Sequence, residues 1–286
     1  MADTLTPLTA GKLDELFNWF KGKSCVVAFS GGVDSATLAN ALVLANDQGL
    51  LKIPPVGYFA GSFTSTELER SEARRVAAEI GLPLVEIESK EFDNPNFVAN
   101  TQDRCYWCKK IRFSELRDIA QRDYGDPNGE KIMLVDGANA TDSEDFRPGQ
   151  RAAKEVGVRS PLAEVGLTKP EIRELAGFWN LSIAKKPSTP CLATRLAYNI
   201  PLSNELLRQV EAAEIAIMSF GVSTCRARID APKAVRIELP EEEIDAFLSP
   251  ETRKKLVAKL RAIGFNFISL DLEGFFSGKN NRSISA

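Results

Sequence analysis

The sequence predicts an α/β protein in which a parallel sheet, covered by helices on both faces, is followed by a smaller α+β domain. Three observations carry this reading. Short apolar runs alternate with helical patterns over roughly the first two thirds of the chain. The first run ends in two adjacent glycines that open directly into a helix. A proline-bounded stretch, Lys185-Lys186-Pro187-Ser188-Thr189-Pro190, then breaks the alternation, and strands follow one another beyond it.

Taken in order, Leu13, Leu16, Phe17 and Phe20 recur at helical spacing, so Gly11 to Phe20 is predicted as an amphipathic helix packed on the sheet. Cys25-Val26-Val27-Ala28-Phe29 is the first strand and Ala36 to Leu42 a helix. Pro55 to Ala60 reads as the second strand, Ser65 to Ile80 as a helix stopped at Gly81, and Pro83 to Ile87 as the third strand. A helix from Tyr106 to Arg122, a strand from Ile132 to Asp136 and a helix from Lys169 to Trp179 complete the sheet domain, residues 1–187. Residues 188–286 form the smaller domain. Its elements are a helix (Ser203 to Phe220), strands (Ser223 to Ile229 and Ala234 to Leu239), a helix entered at Pro240-Glu241-Glu242-Glu243, and a last strand (Phe265 to Leu270).

The glycine turn carries the chemistry. In Ser30-Gly31-Gly32-Val33-Asp34-Ser35 the glycines let backbone approach an anion, the hydroxyls can bond phosphate oxygens, and the first amides of the helix face the same point. No Lys-Ser/Thr pair follows, so the loop is not the kinase-type phosphate loop. Asp34 stands in its place, and a carboxylate beside phosphates suggests a bridging Mg²⁺. The plainer alternative is a turn in which the glycines only relieve strain and Asp34 favours the helix dipole. Ligands of parallel sheets lie beyond the carboxyl strand ends, where Ser30, Ala60 and Gly137 fall. Gly137 either admits the adenine ring or serves a turn.

Composition narrows the function classes. The chain has no histidine, which removes Ser-His and Cys-His catalytic pairs, imidazole bases and mixed Cys/His metal sites. A net charge of −3 gives no overall footprint for nucleic acid. No apolar stretch is long enough to span a bilayer, so no membrane partner and a cytoplasmic protein are expected.

Five cysteines, an odd number, argue against a disulfide framework in that compartment. Cys105 and Cys108 lie three apart at a helix start, and Cys191 lies in the loop Pro190-Cys191-Leu192-Ala193-Thr194-Arg195. Cys25 and Cys225 read as packed residues. The trio could hold a [4Fe–4S] cluster with one iron open, form a zinc or redox site, or leave one cysteine as a sulfur carrier. Arg226 and Arg228 alternate along a strand and point to one face, with Arg195 nearby. They read as a phosphate site or as a solvated face, with Glu214 and Asp230 as partners of Mg²⁺ or of the arginines.

The six-residue loop matches the S-G-G-x-D-S signature of the PP-loop ATP pyrophosphatases, a superfamily with an adenine nucleotide alpha hydrolase-like fold. That resemblance implies ATP cleavage to AMP and pyrophosphate. Asp136-Gly137-Ala138, Asp142, Asp145, Arg147-Pro148-Gly149, Glu155 to Leu162, Pro190 to Arg195 and the tail Asp271-Leu272-Glu273-Gly274-Phe275-Phe276-Ser277-Gly278 together resemble the LarE family over nearly the whole chain. The resemblance implies an ATP-dependent sulfur transferase that adenylylates a carboxylate of pyridinium-3,5-biscarboxylic acid mononucleotide and converts it to a thiocarboxylate for the nickel-pincer nucleotide cofactor. ATP contacts are then expected at Ser30, Gly31, Gly32, Asp34, Ser35, Ala60 and Gly137, and substrate-phosphate contacts at Arg226, Arg228 and Arg195. In the single-cysteine branch the residue matching Cys191 surrenders its own sulfur. Cys105 and Cys108 depart from that branch and resemble the three-cysteine branch, in which a [4Fe–4S] cluster delivers sulfide. Similar proteins assemble as homo-oligomers. The rival expectations are a tRNA thiolase, an amide synthetase using free ammonia, and an iron–sulfur carrier or nucleotide sensor without turnover.

Overall fold

The computed structural model describes residues 4–125, 131–141, 148–187, 190–276 and 279. Asp142, Asp145, Arg147, Ser188, Thr189, Ser277 and Gly278, named above, lie outside the described residues. The chain forms two compact units, Met1–Asn94 with Asp103–Thr189, and Pro95–Gln102 with Pro190–Ala286.

The first unit is α/β, with an all-parallel four-stranded sheet ordered β3-β2-β1-β4. Its strands are β1 (Cys25–Ala28), β2 (Gly57–Gly61), β3 (Leu84–Glu88) and β4 (Met133–Val135). The helices are α1 (Pro7–Phe20), α2 (Val33–Asp47), α3 (Glu67–Glu79), α5 (Arg104–Tyr124), α6 (Pro148–Val156), α7 (Pro161–Glu164) and α8 (Lys169–Phe178), while α4 (Pro95–Val98) belongs to the second unit. Side chains alternate along β1, so Val27 joins one core with Leu16, Phe20, Leu38 and Leu175, and Val26 joins the other with Phe113, Leu116 and Val156. Both faces of the sheet are therefore covered, and β1 is buried at its centre. Local signals set the helix starts. Thr66 and Glu69 form a capping box at α3, and Glu171 bonds the amide and hydroxyl of Thr168 at α8.

The second unit packs α9 (Asn204–Met218), α10 (Ile244–Phe247) and α11 (Pro250–Ile263) with a sheet ordered β5-β6-β7, where β5 (Arg226–Arg228) runs antiparallel to β6 (Ala234–Glu238) and β7 (Phe267–Leu270) parallel to it. Two expectations change here. Pro240-Glu241-Glu242-Glu243 opens only a short 3₁₀ turn before α10, and the long helix starts at Pro250, where the Ser249 hydroxyl accepts from the Thr252 amide. The sequence boundary near residue 187 also missed the excursion Pro95–Gln102 into this unit. Asn100, buried and with φ of 54°, holds it there. Its side-chain amide donates to Ala197 O (2.9 Å) and Ile200 O (2.8 Å), and its carbonyl accepts from Asn199 N (3.0 Å). Among the described residues no helix is long and apolar enough to cross a membrane.

Candidate active site

The glycine loop lies at the carboxyl end of β1, as the sequence predicts. Gly31 has φ of +72°, and a Cβ on it would stand 2.8 Å from Ala73 Cα, so both the backbone sign and the packing against α3 require glycine. The Ser30 and Ser35 hydroxyls lie 3.0 Å apart, and Ser35 Oγ donates to Gly32 O at 3.1 Å, which closes the loop on itself. Among the described residues no side chain caps α2 at Gly32, so its first amides are left to the loop. Ala60 is half-buried at the carboxyl end of the neighbouring strand.

Gly137 lies in the turn after β4, packed closely on the phosphate loop. A Cβ there would lie 2.7 Å from Ser35 N and 2.9 Å from Asp34 C, so its missing side chain lets the end of β4 approach the loop backbone. Asp136 holds that turn, its Oδ1 accepting from Ala138 N at 3.2 Å and Ser160 Oγ at 2.6 Å. The turn leads to Thr141, whose hydroxyl accepts the Lys169 amide at 3.1 Å.

Lys169 is the residue that sequence reasoning missed. Its ammonium pairs with Asp34 Oδ2 at 2.5 Å. The signal was its position as the first residue of α8, where a positive charge opposes the helix dipole. The other Asp34 oxygen, Oδ1, is buried with no hydrogen-bond partner among the described residues. A carboxylate oxygen left in that state beside uncapped amides fits a Mg²⁺ ion brought in with a nucleotide.

The cysteines fall into two classes. None is in a disulfide; Cys25 and Cys225 are buried, Cys108 and Cys191 are half-buried, and Cys105 is exposed. Burial pushes the Cys25 and Cys225 thiols up to about 12, so both stay neutral packing groups. Cys105 and Cys108 are the second and fifth residues of α5, near the positive end of its dipole. Arg151 lies over the Tyr106 ring between them, 4.2 Å from its centroid, and Tyr106 donates to Glu155 at 2.6 Å. Cys191, in the second unit, precedes the 3₁₀ turn Leu192–Arg195. Accessible thiols suit a cluster, yet among the described residues no group of three or more His, Cys, Asp or Glu is placed to hold a metal ion.

The arginines are buried, which removes the solvated-face reading. Arg195 is 2% exposed, with Nε and Nη2 on Glu214 (2.8 and 3.1 Å) and Nη1 on Pro190 O (2.6 Å). It therefore pins the cysteine loop to α9. Arg228 is anchored by Glu238 (3.0 Å) and by Thr194 O (2.6 Å). Arg226 differs. Its guanidinium donates to Cys225 O (2.7 Å), and no carboxylate among the described residues pairs with it. Burial, with Arg195 close by, holds its pKa below the ordinary guanidinium value. A buried cation that no carboxylate pairs with among the described residues suits an anionic group. Asp230 pairs with Arg236 at 2.7 Å.

Similar proteins span nearly the whole chain. An uncharacterized protein of Synechocystis sp. is 37% identical over 278 residues, covering 96% of this chain and 98% of that protein. The pyridinium-3,5-bisthiocarboxylic acid mononucleotide synthase of Lactiplantibacillus plantarum is 35% identical over 261 residues, 91% of this chain and 89% of that protein. An uncharacterized protein of Methanocaldococcus jannaschii is 27% identical over 256 residues, 89% and 91% of the two chains. No family model matches the chain.

Proposed function

The chain belongs to the LarE family, that of the pyridinium-3,5-bisthiocarboxylic acid mononucleotide synthase, and from that premise we propose how its own residues carry out the reaction. It is an ATP-dependent sulfur transferase in the synthesis of that mononucleotide. The observation that carries the proposal is Asp34 in the first turn of α2, whose Oδ1 is buried with no hydrogen-bond partner among the described residues.

In the activation step, the loop amides and the Ser30 and Ser35 hydroxyls hold the ATP phosphates. Asp34 would hold Mg²⁺, which when bound neutralises the charge that develops on the departing pyrophosphate. Lys169, paired with Asp34 at the loop, would supply a further cation to the same phosphates. A substrate carboxylate oxygen attacks the α-phosphorus, the bond to the bridging oxygen breaks, and pyrophosphate leaves. Ala60 and the turn at Gly137 border the nucleotide. Arg226 holds the substrate phosphate, backed by the anchored Arg228.

In the second step a sulfur nucleophile attacks the activated carbonyl carbon and AMP departs. Sulfur enters through Cys105, Cys108 and Cys191. The [4Fe–4S] cluster is carried by the resemblance to the three-cysteine branch, and the donor is sulfide or another sulfur compound. The protein acts as a homo-oligomer on a small mononucleotide, without nucleic acid. If Cys191 instead gives its own sulfur, its thiolate displaces AMP, loss of the Cα proton breaks the Cβ–S bond, and dehydroalanine remains. Iron and acid-labile sulfide, measured on protein purified without oxygen, separate the two routes. Iron lost on Cys108→Ala supports the cluster, while iron-free protein that loses the mass of one sulfur on turnover overturns it.

A further inference from the structure

The tail Asp271–Phe276 was singled out by resemblance, and none of the chemistry above uses it. In the structure it lies on the arginines. Phe275 is half-buried, its amide donates to Leu239 O at 2.7 Å, and its ring stands 4.7 Å from the Arg226 guanidinium. Gly274 makes this possible. With φ of +70° and a Cβ position 2.8 Å from Leu239 O, it turns the chain where any side chain would strike backbone. Asp271 joins Arg236 (2.5 Å) and Lys279 (2.6 Å), Arg236 joins Glu238 (2.8 Å), and fully buried Glu238 holds Arg228 (3.0 Å).

We propose that this tail is the back wall of the anion site, and that Phe275 is the positioning residue that orients Arg226 toward the phosphate of the mononucleotide. Each neighbouring arginine is fixed by a carboxylate: Arg195 by Glu214, Arg228 by Glu238, and Arg236 by Asp230 and Asp271. Arg226 has the aromatic face in that place. A ring holds a guanidinium by its quadrupole without neutralising it. The cation stays oriented with no carboxylate paired to it among the described residues, so its charge is available to the ligand. A carboxylate at 275 would orient Arg226 equally well and cancel it.

The inference rests on the assignment of Arg226 to the substrate phosphate, and the test separates the two. Initial rates of full-length protein are measured with ATP and Mg²⁺ on the mononucleotide and on the corresponding nucleoside, which lacks the phosphate. Phe275→Leu keeps bulk and loses the π face; it is expected to raise KM for the mononucleotide roughly tenfold, with kcat and the nucleoside KM unchanged. Phe275→Tyr keeps the face and is expected to behave as wild type. Gly274→Ala, which displaces the ring by its backbone, should reproduce the Phe275→Leu pattern if the latter folds poorly. Wild-type KM in Phe275→Leu, or an equal loss with both substrates, overturns the positioning role. If Arg226→Ala itself leaves the mononucleotide KM unchanged, the phosphate assignment fails as well.

Discussion

Replacing Gly137 by alanine tests whether β4 and the phosphate loop are one packed unit. The new methyl group would sit 2.7 Å from Ser35 N, 2.9 Å from Asp34 C and 3.0 Å from Ser35 Cα. All three atoms are backbone, so no rotamer relieves the contact and the loop must shift by a few tenths of an ångström. Overpacking of this kind costs about 1–3 kcal/mol. For a unit of this size, about 2 kcal/mol lowers Tm by roughly 4–8 °C, readable by thermal denaturation without nucleotide. The same shift misaligns the first amides of α2, and losing one bond to a charged phosphate oxygen raises KM for ATP roughly tenfold or more. Gly177→Ala is the control. It lies inside α8 with nothing within 4 Å of its Cβ position, so it should leave Tm unchanged or raise it. A Gly137→Ala protein with wild-type Tm would refute the packing argument, and one that loses only ATP affinity would return Gly137 to the role of admitting adenine.

Lys169→Met should lower kcat/KM for ATP by at least an order of magnitude while leaving Tm within a few degrees, since the Asp34 pair is part-exposed; unchanged pyrophosphate release would remove Lys169 from the site. Glu214→Ala leaves Arg195 buried without its carboxylate and is expected to cost about 3–5 kcal/mol, with thiolated product lost before pyrophosphate release; denaturant unfolding and a product assay check both. The raised thiols of Cys25 and Cys225 have a pH signature. Their folded values near 12 exceed the ordinary 9.0, so the unfolded chain loses these protons first. Stability is then full below pH 9 and falls between pH 9 and 12 by about 1.4 kcal/mol per unit for each thiol. Alkylation at pH 8 should mark Cys105 and Cys191 and spare these two, and their rapid labelling in native protein would contradict the burial argument.

The sheet was legible because its strands are apolar runs separated by helical patterns, and because Gly31 and Gly32 end the first run directly before a helix. Side-chain bonds across sequence distance were not. Asn100 carries the excursion of residues 95–102 through bonds to carbonyls nearly a hundred positions away, and no local pattern announces it. The Arg195 pairing with Glu214 was not visible either, because its partner lies on a different element. Lys169 was hidden by a local signal that already explained its neighbours, the Thr168 and Glu171 capping pair. Pro240 and Pro250 are both proline starts with acids behind them. Only the Ser249 hydroxyl before the second makes it the long helix.

The most direct test of the central claim is pyrophosphate and thiocarboxylate formation from ATP, Mg²⁺, pyridinium-3,5-biscarboxylic acid mononucleotide and sulfide, comparing wild type with Asp34→Ala and Cys191→Ala. Substrate-dependent pyrophosphate and an oxygen-to-sulfur mass gain are expected in wild type. Neither should appear in Asp34→Ala, and pyrophosphate without thiolated product should appear in Cys191→Ala. Pyrophosphate release from Asp34→Ala at the wild-type rate, or thiolated product from Cys191→Ala at that rate, would contradict the reaction assigned to these residues.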